Sequence, residues 1–157
     1  MKFEIRVATL DDLHKIQELN QMLCKKEKNE YDSTIISDWP FGEDGTKFYM
    51  NRITGDDGCV LVAVLKDEIV GYLAGGIIKS ETYRIIPSMV ELENMFILEE
   101  HRSSGVGKKL YDKFMQWCKT QKVNKVRVVA SSKNKKGIKF YLDSGFEEYS
   151  LMMEQDL

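Results

Sequence analysis

Polar and apolar residues alternate from Phe3 to Ala8, the pattern of a strand with one face buried. Thr9 then suits a helix N-cap, with Asp11 and Asp12 in the first turn. Leu13, Ile16, Leu19 and Leu23 recur every three or four positions, predicting an amphipathic helix to about Cys24. Residues 25–45 are polar, contain Trp39-Pro40 and predict an irregular loop, followed by a short helix from about Thr46 to Ile53. Two apolar runs, CVLVAVL and EIVGYLAGGIIK, are separated only by Lys66 and Asp67, the spacing of a tight hairpin. A third strand, about Ser88 to Leu98, completes a meander. Val106, Leu110, Phe114, Trp117 and Cys118 then trace a helical stripe to about Gln121. The β-branched VRVVA at 126–130 predicts a short buried strand, Asn134 caps a helix carrying Ile138 and Tyr141 that stops near Gly145, and a last strand runs from Phe146 to about Met153. The order β-α-α-β-β-β-α-β-α-β predicts an α/β fold: a mixed, largely antiparallel sheet flanked by helices on both faces.

Composition narrows the picture. A length of 157 residues, 43% of them hydrophobic, suits one domain spanning 1–157, without repeats or linkers. No apolar run is long enough to cross a bilayer, and the N-terminus lacks the features of a secretory leader. The three dispersed cysteines, Cys24, Cys59 and Cys118, fit buried thiols, so a cytoplasmic location is expected. A net charge of −2 argues against general nucleic-acid affinity, although lysines 108, 109, 113, 133, 135 and 136 cluster around two loops. Neither His14 nor His101 has partners at metal-ligand spacing, and no metal is expected.

The chemistry concentrates at Glu91–Lys109, ELENMFILEEHRSSGVGKK, where a strand enters a glycine-containing turn and a helix. The first N–H groups of a helix lack partners within it and its dipole is positive there, so such a junction holds oxyanions. A Walker A loop is excluded, because position 102 is Arg and position 109 is Lys; a dinucleotide fingerprint is excluded, because position 110 is Leu. There remains Arg102-Ser103-Ser104-Gly105-Val106-Gly107, and downstream Asn134-x6-Tyr141-x3-Gly145-Phe146. Taken alone, the glycine pair can be a bare structural turn, Asn134 a helix cap, and Tyr141 core filler. Glu91 and Glu93 alternate in phase on their strand and share a face, with Leu92, Asn94 and Phe96 on the other.

The paired motifs, Arg-x-x-Gly-x-Gly and Asn-x6-Tyr-x3-Gly-Phe, resemble those of the GCN5-related N-acetyltransferase family, with matching elements over about residues 1–155. The resemblance implies acetyl-coenzyme A as acetyl donor, its pyrophosphate bound by Arg102, Ser103, Ser104, Gly105, Val106, Gly107 and Lys108. It implies that the pantetheine arm lies along Met95, Phe96 and Ile97 and that Asn134 touches the cofactor near its thiol end. Ser103 and Ser104 occupy positions where the family often has Gly or Lys. Tyr141 would lie beside the sulfur and protonate the departing thiolate, or position it. An amine with a free pKa of ~10.4 is almost wholly protonated near pH 7, so transfer needs a base. Glu93 is favoured for that role because EN-MFI is similar to the corresponding strand of diamine acetyltransferases, and Glu91 is second. Tyr31, Asp32, Trp39 and Phe41, in the region that shapes the acceptor site in the family, are candidate substrate contacts. A cationic small amine such as a polyamine or diamine is the favoured acceptor, a protein N-terminus or lysine the alternative, and a non-catalytic coenzyme A-binding regulatory module the reading from another class. A homodimer, common in the family, is left open by the sequence.

Overall fold

A computed structural model describes residues 2–157. Its strands are β1 (Glu4–Val7), β2 (Gly58–Leu65), β3 (Glu68–Lys79), β4 (Ser88–Ile97) and β5 (Val126–Val128); its helices are α1 (Leu13–Glu30), α2 (Glu43–Thr54), α3 (Val106–Thr120) and α4 (Lys135–Asp143). The strands form one sheet in chain order, antiparallel from β1 to β4 and parallel between β4 and β5. Parallel neighbours need a crossover, and α3 supplies it. Lys66 and Asp67 make the expected two-residue turn, both with positive φ (49° and 65°), the condition that matches strand twist in a tight hairpin.

Each face of the sheet buries its own apolar layer. Leu61, Leu73, Leu92, Leu110 and Phe114 meet on the α3 side, where Phe140 and Tyr141 of α4 also pack. Ile16, Leu19, Tyr49, Tyr72 and Phe96 meet on the α1 and α2 side. Each such side chain removed from water contributes roughly 1.5–3 kcal/mol.

Three sequence expectations change. Helix α1 continues to Glu30 rather than stopping near Cys24, because residues 25–30 are charged helix formers whose Lys26–Glu30 pair spans one turn. Helix α2 begins at Glu43, with Glu43 and Asp44 in its first turn favoured by the dipole. The last strand does not form: β5 pairs over three residues only and offers a returning chain little ladder, and Tyr149 instead takes the Arg84 guanidinium over its ring at 4.5 Å. Helix α4 ends as expected, with Gly145 at φ 99° and the Phe146 N–H donating to the Tyr141 carbonyl at 3.0 Å.

Candidate active site

Strand β4 changes character halfway along. Ala74 of β3 pairs with Asn94 and the next residue, Gly75, pairs with Leu92, so Glu93 is an extra residue, a β-bulge. The bulge corrects the simple alternation expected from the sequence. Leu92 faces α3 as part of that core, whereas Glu93 and Asn94 both face α2, and Phe96 follows them. Glu91 and Glu93 do share a face, as expected, but Asn94 and Phe96 lie on it too.

The same strand loses its outer neighbour at this point. Pairing with β5 ends at Leu92↔Val128, so Met95, Phe96 and Ile97 have no strand partner on that edge. Met95 and Ile97 pack toward α3 and Phe96 toward α1 and α2. The parting opens a slot whose exposed edge is backbone, suited to an extended ligand that hydrogen-bonds as a strand would.

The slot runs into the turn at 102–107. Gly105, the N-cap of α3, has φ 84° and open space where a Cβ would lie, so the backbone conformation rather than crowding calls for glycine there. The first backbone bond of α3 runs from the Lys109 N–H to the Gly105 carbonyl at 3.1 Å, which leaves the N–H groups of Val106, Gly107 and Lys108 for an anion. The side chains are engaged elsewhere. Arg102 donates from Nε to the Ile97 carbonyl at 2.9 Å and stacks on Phe96 at 5.2 Å, Ser104 bonds the His101 carbonyl, and Lys108 pairs with Asp112. Ser103 takes φ 60°, completing the tight turn. An anion at this turn would therefore meet backbone amides rather than side chains.

Across the slot, the Asn134 side chain accepts the Gly137 N–H at 3.0 Å and so caps α4. Tyr141 follows two turns later, edge-on to Phe140 and Phe146, and its phenol is pushed up to about 12 by burial, with Tyr111 and Glu27 adding to the shift. It therefore keeps its proton at neutral pH. Tyr141 and Glu27 belong to helices on opposite faces of the sheet, yet Glu27's charge reaches the phenol. A second link crosses the same way: Lys133, before α4, donates to the Tyr31 carbonyl at the end of α1 at 3.1 Å.

The sequence matches the family model for the acetyltransferase (GNAT) family over residues 14–146. The chain belongs to the GNAT family. Similar solved structures include a predicted acetyltransferase from Clostridium acetobutylicum with acetyl-CoA, 20% identical with a TM-score of 0.79, covering 99% of this chain and 96% of that one. A mutant protein from Bacillus halodurans is 19% identical with a TM-score of 0.84, covering 98% and 99%. An aminoglycoside 6'-N-acetyltransferase from Acinetobacter baumannii is 19% identical with a TM-score of 0.73, covering 99% of each chain. Among curated proteins no sequence match is found.

Within this GNAT chain the acceptor-side candidates disperse. Glu93 receives a bidentate ion pair from Arg52 of α2, with Nε to Oε2 at 2.9 Å and Nη2 on Oε1. The Arg52 guanidinium lies against Gly76, where a Cβ would come within 2.6 Å of Nη1. Burial pushes the Glu93 carboxyl up and outweighs Arg52's downward pull. Glu91, two residues earlier on β4, is held by Arg127, which also binds Glu81. Tyr31 ends α1 beneath Lys26, and Asp32 turns back to accept from the Thr34 N–H and hydroxyl. Phe41 sits against His14 and edges a shallow depression of about 360 Å³ on the outer side of α2. Trp39 alone of these lines a cleft of about 380 Å³ bounded by Cys24, Glu27, Thr34, Ile35, Ile36 and itself.

Sequence reasoning missed the polar chain beneath that cleft. Asn20 donates to the Tyr72 hydroxyl at 2.8 Å, Tyr72 meets the Tyr49 hydroxyl, and Tyr49 donates to Asn94 at 2.9 Å. Cys24 bonds Asn20 in turn. One signal was present: Asn20, Cys24, Glu27 and Tyr31 recur at helical spacing, a polar stripe that needs α1 to reach Glu30 before it is seen as one face. Among the described residues, no group of three His, Cys, Asp or Glu could hold a metal ion, and no helix is long and apolar enough to cross a membrane.

Proposed function

We propose that the chain is an acetyl-CoA-dependent N-acetyltransferase that acetylates the primary amine of a small molecule by direct attack on the thioester. One observation supports this reading above the others: β4 parts from β5 after Leu92, so the unpaired backbone of Met95–Ile97 runs into a turn whose Val106, Gly107 and Lys108 N–H groups are free among the described residues. The acyl donor would lie along Met95–Ile97, its pyrophosphate on the N–H groups opening α3. The family match and relatives solved with acetyl-CoA or CoA support that donor.

The amine nitrogen forms the C–N bond as the C–S bond breaks. Tyr141, protonated at neutral pH, supplies a hydrogen bond to the sulfur as negative charge gathers there, and relays to it the proton that the new ammonium centre sheds. A full, lasting transfer from the phenol is uphill, since a thiol of ~8.5 is the stronger acid. Asn134 fixes the start of α4 and hence the position of Tyr141.

The polyamine reading rested on Glu91 and Glu93 as free carboxylates. Each is answered by an arginine, Arg127 and Arg52, so their pull on a dication is largely cancelled and a single positive charge on the acceptor suffices. Aminoglycoside N-acetyltransferases among the similar structures support an amine-bearing small molecule in general.

Thiol release from acetyl-CoA against a panel of primary amines tests the reading. Amine-dependent release is expected, with Tyr141→Phe lowering kcat about 100-fold while the acetyl-CoA-induced rise in melting temperature is retained. Acetyl-CoA binding with no amine-dependent release from any acceptor would favour the regulatory module instead, and no binding would remove both.

A further inference from the structure

The cleft beside the slot has a single carboxylate. Glu27 projects from the face of α1 that also carries Asn20 and Cys24, is half-buried, and has neither a salt bridge nor a hydrogen bond among the described residues. Neighbouring acidic side chains are committed: Glu93 to Arg52 on both oxygens, Asp32 to Thr34, and Glu30 to Lys26 on the exposed side. The cleft walls around Glu27 are otherwise apolar or weakly polar, with Ile35, Ile36 and Trp39 opposite Cys24 and Thr34. A lone carboxylate in an apolar cleft, on a helix whose end is tied by Lys133 to the loop before α4, matches a monocation on an apolar body.

We propose that Glu27 is the acceptor-binding carboxylate and the catalytic base of this enzyme, and that the Cys24–Trp39 cleft admits a primary amine borne on an aliphatic or aromatic skeleton. The proposal rests on the acetyl-transfer reading above. The protons balance as follows. Glu27, ionised, pairs with the ammonium of R–NH3+ and takes one proton, giving R–NH2 and a neutral carboxyl. The nitrogen then bonds the acetyl carbon, and the C–S electron pair leaves with sulfur. The second nitrogen proton passes through the Tyr141 hydroxyl to the thiolate. The products are R–NH–acetyl and coenzyme A thiol, and Glu27 returns its proton to solvent.

The groups around Glu27 make its titration readable. Cys24 and Lys26 share its helix, Tyr72 faces it from β3, Tyr141 from α4, and Lys133 reaches the Tyr31 carbonyl one turn on, with Arg102 across from Glu30. Burial raises the Glu27 carboxyl and Lys26 pulls it down more weakly, while burial raises Cys24, Tyr72 and Tyr141 away from neutrality. Of the two carboxylates here, burial raises Glu27 and the Lys26 hydrogen bond lowers Glu30, so an acid limb displaced upward belongs to Glu27. Since only its ionised form is a base, kcat/KM should rise with pH through a carboxyl pKa above the usual Glu value.

Two measurements decide it. Calorimetric titration of hexylamine into the coenzyme A complex needs no turnover: affinity should fall at least tenfold in Glu27→Gln and stay within twofold of the parent in Glu30→Gln, the exposed neighbour. In the thiol-release assay, Glu27→Gln should lose the acid limb of kcat/KM together with at least 100-fold of its value, Glu27→Asp should recover part of it, and acetyl-CoA should still raise the melting temperature of every variant. Equal hexylamine affinity in parent and Glu27→Gln, no hexylamine binding to either, or an unaltered acid limb in Glu27→Gln overturns the proposal and leaves the acetyltransferase reading standing. Failure of acetyl-CoA to stabilise the parent overturns that reading first.

Discussion

Glu93 and Arg52 sit at 13% and 15% side-chain exposure, and each answers the other's charge in a place where water cannot. Replacing one partner therefore costs more than replacing both. Glu93→Gln leaves the guanidinium with a neutral acceptor and should lower the unfolding free energy by about 3 kcal/mol in urea titration, whereas Arg52→Met with Glu93→Leu should cost less than that single change. A loss for Glu93→Gln below about 1 kcal/mol would mean that solvent already shares the pair. At this scale the sequence conveyed identities better than partners. Glu93, Asn134 and Tyr141 could be picked out by motif, but the commitment of Glu93 to Arg52 spans 41 positions and is set by tertiary packing. Glu27 was hidden for a different reason: in a run of Lys and Glu residues, nothing local tells a solvated carboxylate from one turned toward the sheet.

At the scale of elements, the start of α3 combines a backbone requirement with a binding one. Gly105→Ala meets no steric obstacle, but it forces a side chain into the left-handed region at φ 84° and should cost about 1–2 kcal/mol. Relief of that strain would tilt the turn and misalign the N–H groups of Val106, Gly107 and Lys108. The expected outcome is weaker acetyl-CoA binding by calorimetry with helix content unchanged by circular dichroism. Unaltered affinity would mean that side chains, not the turn's amides, hold the phosphates. The periodic elements were legible because their apolar residues repeat: Val106, Leu110, Phe114 and Cys118 are all buried as the stripe predicted. What could not be read was where polar sequence continues a helix, as in α1 beyond Cys24, and where alternating sequence fails to make a strand, as after Phe146. Both depend on neighbours: helix propensity and an i,i+4 pair in the first case, too short a ladder in the second.

At the scale of the whole molecule, stability should fall in acid through Asp12. Its carboxylate accepts from the Arg6 guanidinium at 2.8 Å and 2.9 Å and from the Thr9 N–H at 2.8 Å, and Arg6 foremost holds it below the usual carboxylate range. A depressed folded pKa means that the stabilisation is fully present above the unfolded value of ~3.9 and is lost as pH falls from there toward the folded pKa. Asp12→Asn should lower the melting temperature at pH 7 and flatten its decline as the pH falls below about 4. A parallel decline in parent and variant would assign acid sensitivity to other carboxylates. The fold class, with helices on both faces of a mostly antiparallel sheet, followed from element order alone, because one crossover between parallel strands leaves few arrangements. The phase of β4 did not follow from alternation, and that carries a consequence of length. Removing residue 93 altogether, rather than exchanging it, would restore strict alternation along the strand. Leu92 would stay in the α3 layer and Asn94 and Phe96 opposite it, so what is lost is the bulge and the partner of Arg52. The strand therefore tolerates a change of count at residue 93 and not beside it: deletion of Glu93 should leave a folded sheet of lower stability by circular dichroism and urea titration, whereas deletion of Leu92 would bring Glu93 into the α3 layer and should abolish folding.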